Sequence, residues 1–482
     1  MTFNSYIFIF IFLPVFLLGL YLLQSFIGTG NRKKTYIRLW IIACSAIFFV
    51  GYGMLSLWAL LLSIAFNALW GFLIDKKGVP ALPGVLVNVL FLCFFKYGTF
   101  TGMPIAVSFY TFQQIAFLVM LKKKEIEKFE LLEYLSYILF FPKILQGPLA
   151  DYRKVTDGIN TLKDRRINSA DVLDGLVLFV FGLSKKVLLS DALGLGADFG
   201  YSNLAGLSAI DAIIVALCYS LQLYFDFSGY CDMAEGVCKM MGMDLDVNFN
   251  APYKAKNIAE FWDRWHITLT KFFTKYVYIP LGGSRKGTFR TYLNILIVFF
   301  VSGIWHGIGV SFIVWGMLHG ILMVITRIYG RAKGTGDKVA AGSTSKVTDC
   351  IKIFLTFSYV TVAWVFFRAN TVADALTLLG KIITPSAWSG LRVGIKLAEC
   401  FQLDEIWYIF KVTPIPSLSF GGYVCMWLIL LIALIFVFAL KPARDLAVKI
   451  RKTPIAMVII AFLFIWCTLS LGNVSTFLYV NF

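Results

Sequence analysis

The chain's three imidazoles, His266, His306 and His319, all lie in one segment built around FWDRWHITLTKFFTKYVYIPLGGSRKG and VSGIWHGIGVSFIVWGMLHG. Imidazole exchanges a proton near neutral pH without help from its surroundings, so this segment is the place to expect proton chemistry. His306 stands between glycines in SGIWHGIG. A structural histidine bonded to a backbone carbonyl is the plain alternative, but a polar group at membrane depth is costly, and that favours a functional one. His266, among Asp263, Arg264 and Lys271, belongs near a membrane interface, where structural and functional readings are balanced. His319 follows His306 by a spacing that would place it ~220° further round a continuous helix, which favours a packing or supporting role. No HExxH or HxH occurs, and Asp263-x-x-His266 is a single pair, so no metal is expected. Upstream, LQLYFDFSGYCDMAEG sets Asp226 among aromatics. A buried acid there needs a cationic partner such as an arginine, although carboxylates at a span's end also cap helices or face water. The polar NFNAPYKAKNIAEFW that follows carries Asn248 and reads as an ordered cytoplasmic or interfacial segment. No nucleophile elbow, P-loop or dinucleotide glycine motif is present.

The elements that must hold these groups are membrane helices. Of the 482 residues, 59% are hydrophobic and 15% charged, and the mean hydropathy is +0.78. The apolar runs are continuous and of span length, not the alternating runs of about ten residues that a β-barrel needs. A formal charge of +17 would suggest nucleic acid in a soluble protein. Here the cations cluster between apolar runs, as in Arg32-Lys33-Lys34, Lys122-Lys123-Lys124 and Lys441 to Lys452. That is the positive-inside pattern, with anionic lipid headgroups as partners and no nucleic acid. The nine cysteines show no ligand spacing; Cys44, Cys93, Cys218, Cys425 and Cys467 read as small core residues.

Spans or near-spans are expected over about 5–27, 36–53, 55–74, 83–100, 130–147, 172–190, 207–225, 351–368, 423–440 and 454–472. The first reads as a retained span, not a cleaved leader. Residues 103–120, with Pro104 and two glutamines, read as a broken or re-entrant helix, and 130–147 as re-entrant. The basic loops then put both termini outside, with 371–420 the longest outside segment and the Gly/Ser/Lys-rich 330–346 a flexible cytoplasmic loop. Lys185-Lys186 falls near an outer end, against the rule. Residues 291–326 carry no charge and are bounded by Arg290 and Arg327. One helix of that length would reach ~54 Å, so a hairpin is expected. Its legs would be roughly 15 residues (about 22 Å) long, with Ser302 to Gly309 at the apex and His306 buried within the membrane.

At these residues the chain resembles the membrane-bound O-acyltransferase family, in particular its bacterial alginate O-acetylase branch. The matching strings, in order over residues 90 to 482, are FPKILQGP, GLSKKVLLSD, LYFDFSGYCDMAEG, NFNAPYKAKNIAEFWDRWHITLT, YVYIPLGGSRKG, SGIWHGIGVSFIVWGMLHG, VFFRA and FLYVNF. The resemblance implies an all-α polytopic fold of about 11 transmembrane helices, with re-entrant or broken helices around a central catalytic tunnel. It implies one membrane domain: N-terminal spans 1–90, a catalytic core 91–330, a cytoplasmic loop 331–350 and C-terminal spans 351–482. By the same resemblance His306 is the catalytic histidine, and His266 fills a second polar position where eukaryotic relatives carry asparagine. Asp263 stands where the acetylase branch often has arginine.

The implied chemistry suits the residues. A thioester is already activated, so transfer needs a base for the attacking hydroxyl, polarisation of the carbonyl and a dry pocket. His306 is the expected base, with His266 or backbone amides near the apex orienting the thioester. Asp226, Trp305, Asn248, Lys271 and Arg285 are the expected substrate contacts, Lys271 and Arg285 together with Lys275 and Lys286 towards coenzyme A phosphates. The resemblance therefore implies passage of acetyl from cytosolic acetyl-CoA, as substrate and without a cofactor, to an extracellular or cell-wall polysaccharide. It further implies a bacterial inner- or plasma-membrane location and a secreted or periplasmic esterase-like partner, for which 371–420 is a docking candidate. A D-alanyl transferase of teichoic acid, fed by a carrier-protein thioester, and a polysaccharide export subunit are the alternatives.

Overall fold

The computed structural model describes residues 1–28, 30–98, 102–333, 345–388, 392–401, 421–473, 475 and 477–478. Most of the loop 330–346, much of 371–420 with Trp407, and most of the FLYVNF end lie outside the described residues. Within them the chain is all helical, with no strand. Eight helices among the described residues are long and apolar enough to cross a membrane: Phe8–Phe26, Met54–Lys77, Ala209–Met240, Thr288–His306, Val310–Ala332, Lys346–Arg368, Gly421–Phe438 and Pro454–Gly472. Ala81–Tyr97 is a shorter apolar helix. The protein is a multi-pass membrane protein. Its outward helix faces are apolar, as Ile455, Val458, Ile459, Phe462 and Ile465 illustrate. In water such a stripe would be a liability; against lipid it is the favourable surface.

The described chain forms two compact units, one of Met1–Ser184, Phe227–Val247 and Ala443–Phe482, the other of Lys185–Asp226 and Asn248–Pro442. In the first, helix α1 (Val107–Lys122) runs unbroken, which corrects the expectation of a broken helix over 103–120. Pro104 lies ahead of the helix, where a missing N–H costs nothing. The chain turns at Ala106 (φ +62°), and Gln113 and Gln114 are tolerated because protein surrounds them. Residues 130–147 break into Leu131–Ile138 and Phe141–Ile144, short pieces that do not make one crossing helix. Helix α2 (Ser169–Ser184) passes directly into a π-helical turn, Lys185–Ser190. Cys93 is exposed, so it faces outward and is not a core residue as its apolar surroundings suggested.

Helix α3 (Ala209–Met240), of which the part up to Asp226 belongs to the second unit, supplies Asp226 from its middle. Asp226 is wholly buried and pairs with Lys186, whose Nζ lies 2.9 Å from the carboxylate. Lys186 also reaches Asp191 at 2.9 Å. The cluster accounts for Lys186, which neutralises the buried Asp226 and the part-buried Asp191. Two short helices follow, α4 (Ile258–Arg264) and α5 (Ile267–Phe273), and then the expected hairpin, α6 (Thr288–His306) and α7 (Val310–Ala332). The legs are longer than expected, because Arg290 and Arg327 lie inside the helices and do not mark their ends. At 19 and 23 residues they reach about 28 and 34 Å, close to the ~30 Å hydrocarbon core. The legs therefore exceed the roughly 15 residues expected of them. The two legs meet backbone to backbone: a Cβ on Gly303 would lie 2.6 Å from the Phe312 carbonyl oxygen, and one on Gly316 2.4 Å from that of Phe299. Glycine is required at both crossings. Helix α8 (Lys346–Arg368) packs its VFFR end against this hairpin through Trp364 and Phe367.

Candidate active site

His266 is held at the corner between α4 and α5. Its backbone is left-handed (φ +44°, ψ +51°), a conformation that a residue with a Cβ adopts only when its surroundings enforce it. Asn248 supplies the enforcement. Its backbone carbonyl accepts the Ile267 N–H at 3.0 Å. Its side-chain Oδ1 accepts the Thr268 N–H at 3.2 Å and the Thr268 hydroxyl at 2.9 Å, and lies 3.2 Å from His266 Nδ1. A backbone N–H can only donate, so this atom is the amide oxygen and Nδ1 carries the proton. The tautomer leaves the ring's lone pair on Nε2. Asn248, expected as a substrate contact, is thus the residue that orients His266.

Burial pushes the His266 pKa down to about 3, so the ring is neutral in the folded protein. An unfolded imidazole titrates near 6.5. As pH falls from ~6.5 towards 3, the unfolded chain takes up a proton that the folded chain refuses, and stability drops through that window. Between pH 7 and 5 the expected loss is about 2 kcal/mol. Unfolding followed in detergent should show a loss between pH 7 and 5 that is about 2 kcal/mol smaller in His266→Asn than in the wild type.

His306 is the last residue of α6 and only 4% exposed. Its ring sits 4.3 Å from that of Trp305, 4.9 Å edge-on to Trp315 and 5.0 Å from Phe367. His319, on α7, also contacts Trp315, with ring centroids 5.2 Å apart. The two histidines therefore share one indole. The ~220° offset of a continuous helix does not apply, because Gly307-Ile308-Gly309 reverses the chain between them.

A cavity of about 260 Å³ opens beside the hairpin. Its polar lining comes from Asp263, Thr270, Thr274, Ser302 and Arg327, and its apolar wall includes Trp262, Phe273 and Phe299. Ser302 is one helical turn before His306 and on the same face, so the cavity reaches to within a turn of that imidazole. Trp305 packs on the cavity residue Phe273 with ring centroids 6.3 Å apart. Burial raises the Asp263 carboxyl above its usual range and Glu260 adds to the rise, while Arg264 and Arg327 oppose it.

The expected site residues thus divide. Trp305 and His306 lie together at the apex, and His266 with Asn248 forms the α4–α5 corner. Lys271 and Arg285 are exposed and do not line the cavity; Asp226 is held in the Lys186 pair. Arg327 and Ser302 are cavity residues that sequence reading missed. In the sequence Arg327 reads as a boundary, being the first charge after the uncharged run, and Ser302 reads only as the start of the apex.

The all-helical fold thus sets a buried histidine at a helical hairpin, with a cavity one helical turn away. The sequence model of the membrane-bound O-acyltransferase family matches residues 45–333. The chain belongs to that family and is an O-acyltransferase. It is 33% identical to a peptidoglycan O-acetyltransferase of Helicobacter pylori, over all of this chain and 98% of the other. It is 32% identical to a probable alginate O-acetylase of Pseudomonas aeruginosa, over 82% of this chain and 79% of the other. A teichoic acid D-alanyltransferase of Streptococcus thermophilus is 27% identical over 73% of this chain and 92% of the other.

Proposed function

We propose that this protein passes acetyl groups from cytosolic acetyl-CoA to a hydroxyl of an extracellular or cell-wall polysaccharide, with His306 as the general base. The observation that carries this reading is the cavity whose lining reaches Ser302, one turn from an imidazole enclosed by Trp305, Trp315 and Phe367. The likeness to peptidoglycan and alginate O-acetylases supports acetyl as the group and a polysaccharide as its destination.

In this mechanism the thioester enters the cavity with its acyl carbon towards the apex. His306 takes the proton of the acceptor hydroxyl as its oxygen attacks the carbonyl carbon. The C–S bond then breaks, and the leaving thiolate takes that proton back from the imidazolium. The aromatic enclosure keeps water from competing for the acyl group. Arg327 is the cavity's cation for an anionic donor. Asp263, in a family position often held by arginine, opposes such a donor when ionised; its raised pKa lessens that opposition.

The protein is proposed to sit in a bacterial inner or plasma membrane with both termini outside, and to work with an esterase-like partner there. Transfer of label from acetyl-CoA by the reconstituted protein tests this reading. Activity only with a D-alanyl carrier-protein thioester would replace it with the D-alanyl transfer of the third relative.

A further inference from the structure

His319 is wholly buried, and neither of its ring nitrogens has a hydrogen-bond partner among the described residues. Its ring lies nearly parallel to those of Phe261 (10°) and Phe299 (19°). Trp262 and Trp315 meet it at steep angles, with centroids 5.1 and 5.2 Å away. Such a box would suit phenylalanine. A buried polar group left without a partner is destabilising, so an imidazole here calls for a group that pairs with it at some point in the working cycle.

The neighbouring cavity supplies the route. Trp262 and Phe299, both in contact with His319, form part of the cavity wall, as does Met323, one turn further along α7. The Trp262 indole N–H also lacks a partner among the described residues. Trp315 packs against both His319 and His306. One indole's thickness thus divides the cavity from a donor–acceptor pair that nothing in the described structure satisfies.

We infer that His319 is a donor-recognition residue whose imidazole, reached when the Trp262 indole turns aside, hydrogen-bonds an amide in the pantetheine arm of the thioester. A neutral imidazole offers one N–H and one lone pair. A secondary amide offers the complementary carbonyl and N–H, and two methylenes separate the nearest one from the thioester sulfur. In the proposed pose that amide engages His319, and the acyl carbon points towards His306. The inference rests on the thioester-donor reading above. The arm is common to coenzyme A and to carrier proteins, so His319 reads the arm and not its bearer.

The test compares wild type, His319→Phe and His319→Gln as full-length protein in nanodiscs. The donors are acetyl-CoA, the acetyl thioester of N-acetylcysteamine (one amide) and ethyl thioacetate (no amide). His319→Phe should raise KM for the two amide-bearing donors by about three- to tenfold, the worth of one neutral hydrogen bond. It should leave kcat within about twofold and the unfolding temperature no lower, because no native partner is lost. His319→Gln should recover most of the affinity, and ethyl thioacetate should not distinguish the three proteins. An unchanged KM for acetyl-CoA in an active His319→Phe overturns the inference, as does an equal loss on all three donors, which marks a structural role. A wild type that consumes acetyl-CoA no faster than protein-free nanodiscs sinks the coenzyme A reading instead. The same comparison run with an acetylated carrier protein then decides whether His319 reads the shared arm: a wild-type KM for that donor in His319→Phe overturns the inference there too.

Discussion

His306→Ala is expected to slow acyl transfer by about 10²–10⁴-fold, the usual contribution of a positioned general base, while donor binding persists. The geometry explains why the loss should fall on kcat. His306 is enclosed by Trp305, Trp315 and Phe367, whereas the cavity lining reaches Ser302 and not His306 itself. Truncating the imidazole removes the proton acceptor at the reacting end and leaves the donor's seat intact. Single-turnover consumption of radiolabelled acetyl thioester at saturating donor measures the chemical step, and coenzyme A binding to the same protein measures the seat. A raised Kd with an unchanged single-turnover rate would show that His306 binds the donor and is not the base.

Lys186→Met should cost about 3–5 kcal/mol of stability, the typical result of removing one partner from a buried ion pair. Lys186 is 1% exposed and Asp226 0%, and the same ammonium serves Asp191, so the substitution takes one cation from two carboxylates. Adding Asp226→Asn removes one of those charges, and the double variant should regain much of the loss. Equilibrium unfolding in detergent checks both. Equal stability of Lys186→Met and wild type would mean that solvent or another cation compensates the cluster. The position matters for function because Asp226 lies mid-helix in α3, so damage here is expected to reach activity through folding and not through donor contacts.

These two cases also show what could be read before any coordinates. His306 announced itself: a histidine between glycines at the centre of a long uncharged run has few structural uses, and the reversal there follows from helix length against bilayer thickness. The leg lengths did not follow, because charges were taken as helix ends. Arg327 is inside α7 and lines a cavity, a location that no one-dimensional pattern encodes. Lys186 has no explanation in one dimension: the basic pair falls against the positive-inside pattern, and only folding brings it to Asp226, forty residues on in sequence. The link between His306 and His319 was hidden because helical spacing was extended through a turn. Asn248 was singled out only as a substrate contact, whereas its hold on His266 depends on backbone pairing between residues far apart in local pattern. Side-chain types and membrane physics were thus legible, and long-range partners were not.

The central claim, transfer of acetyl from a thioester on one face to a hydroxyl on the other, is tested most directly in sealed proteoliposomes. Radiolabelled acetyl-CoA is supplied outside, and the acceptor polysaccharide, with the esterase-like partner, is trapped inside. Protein oriented with α4 and α5 outward should move label onto the trapped acceptor, and the His306→Ala protein should not. Label reaching acceptor only when donor and acceptor share a compartment, or passing inward at the same rate with His306→Ala, would contradict it.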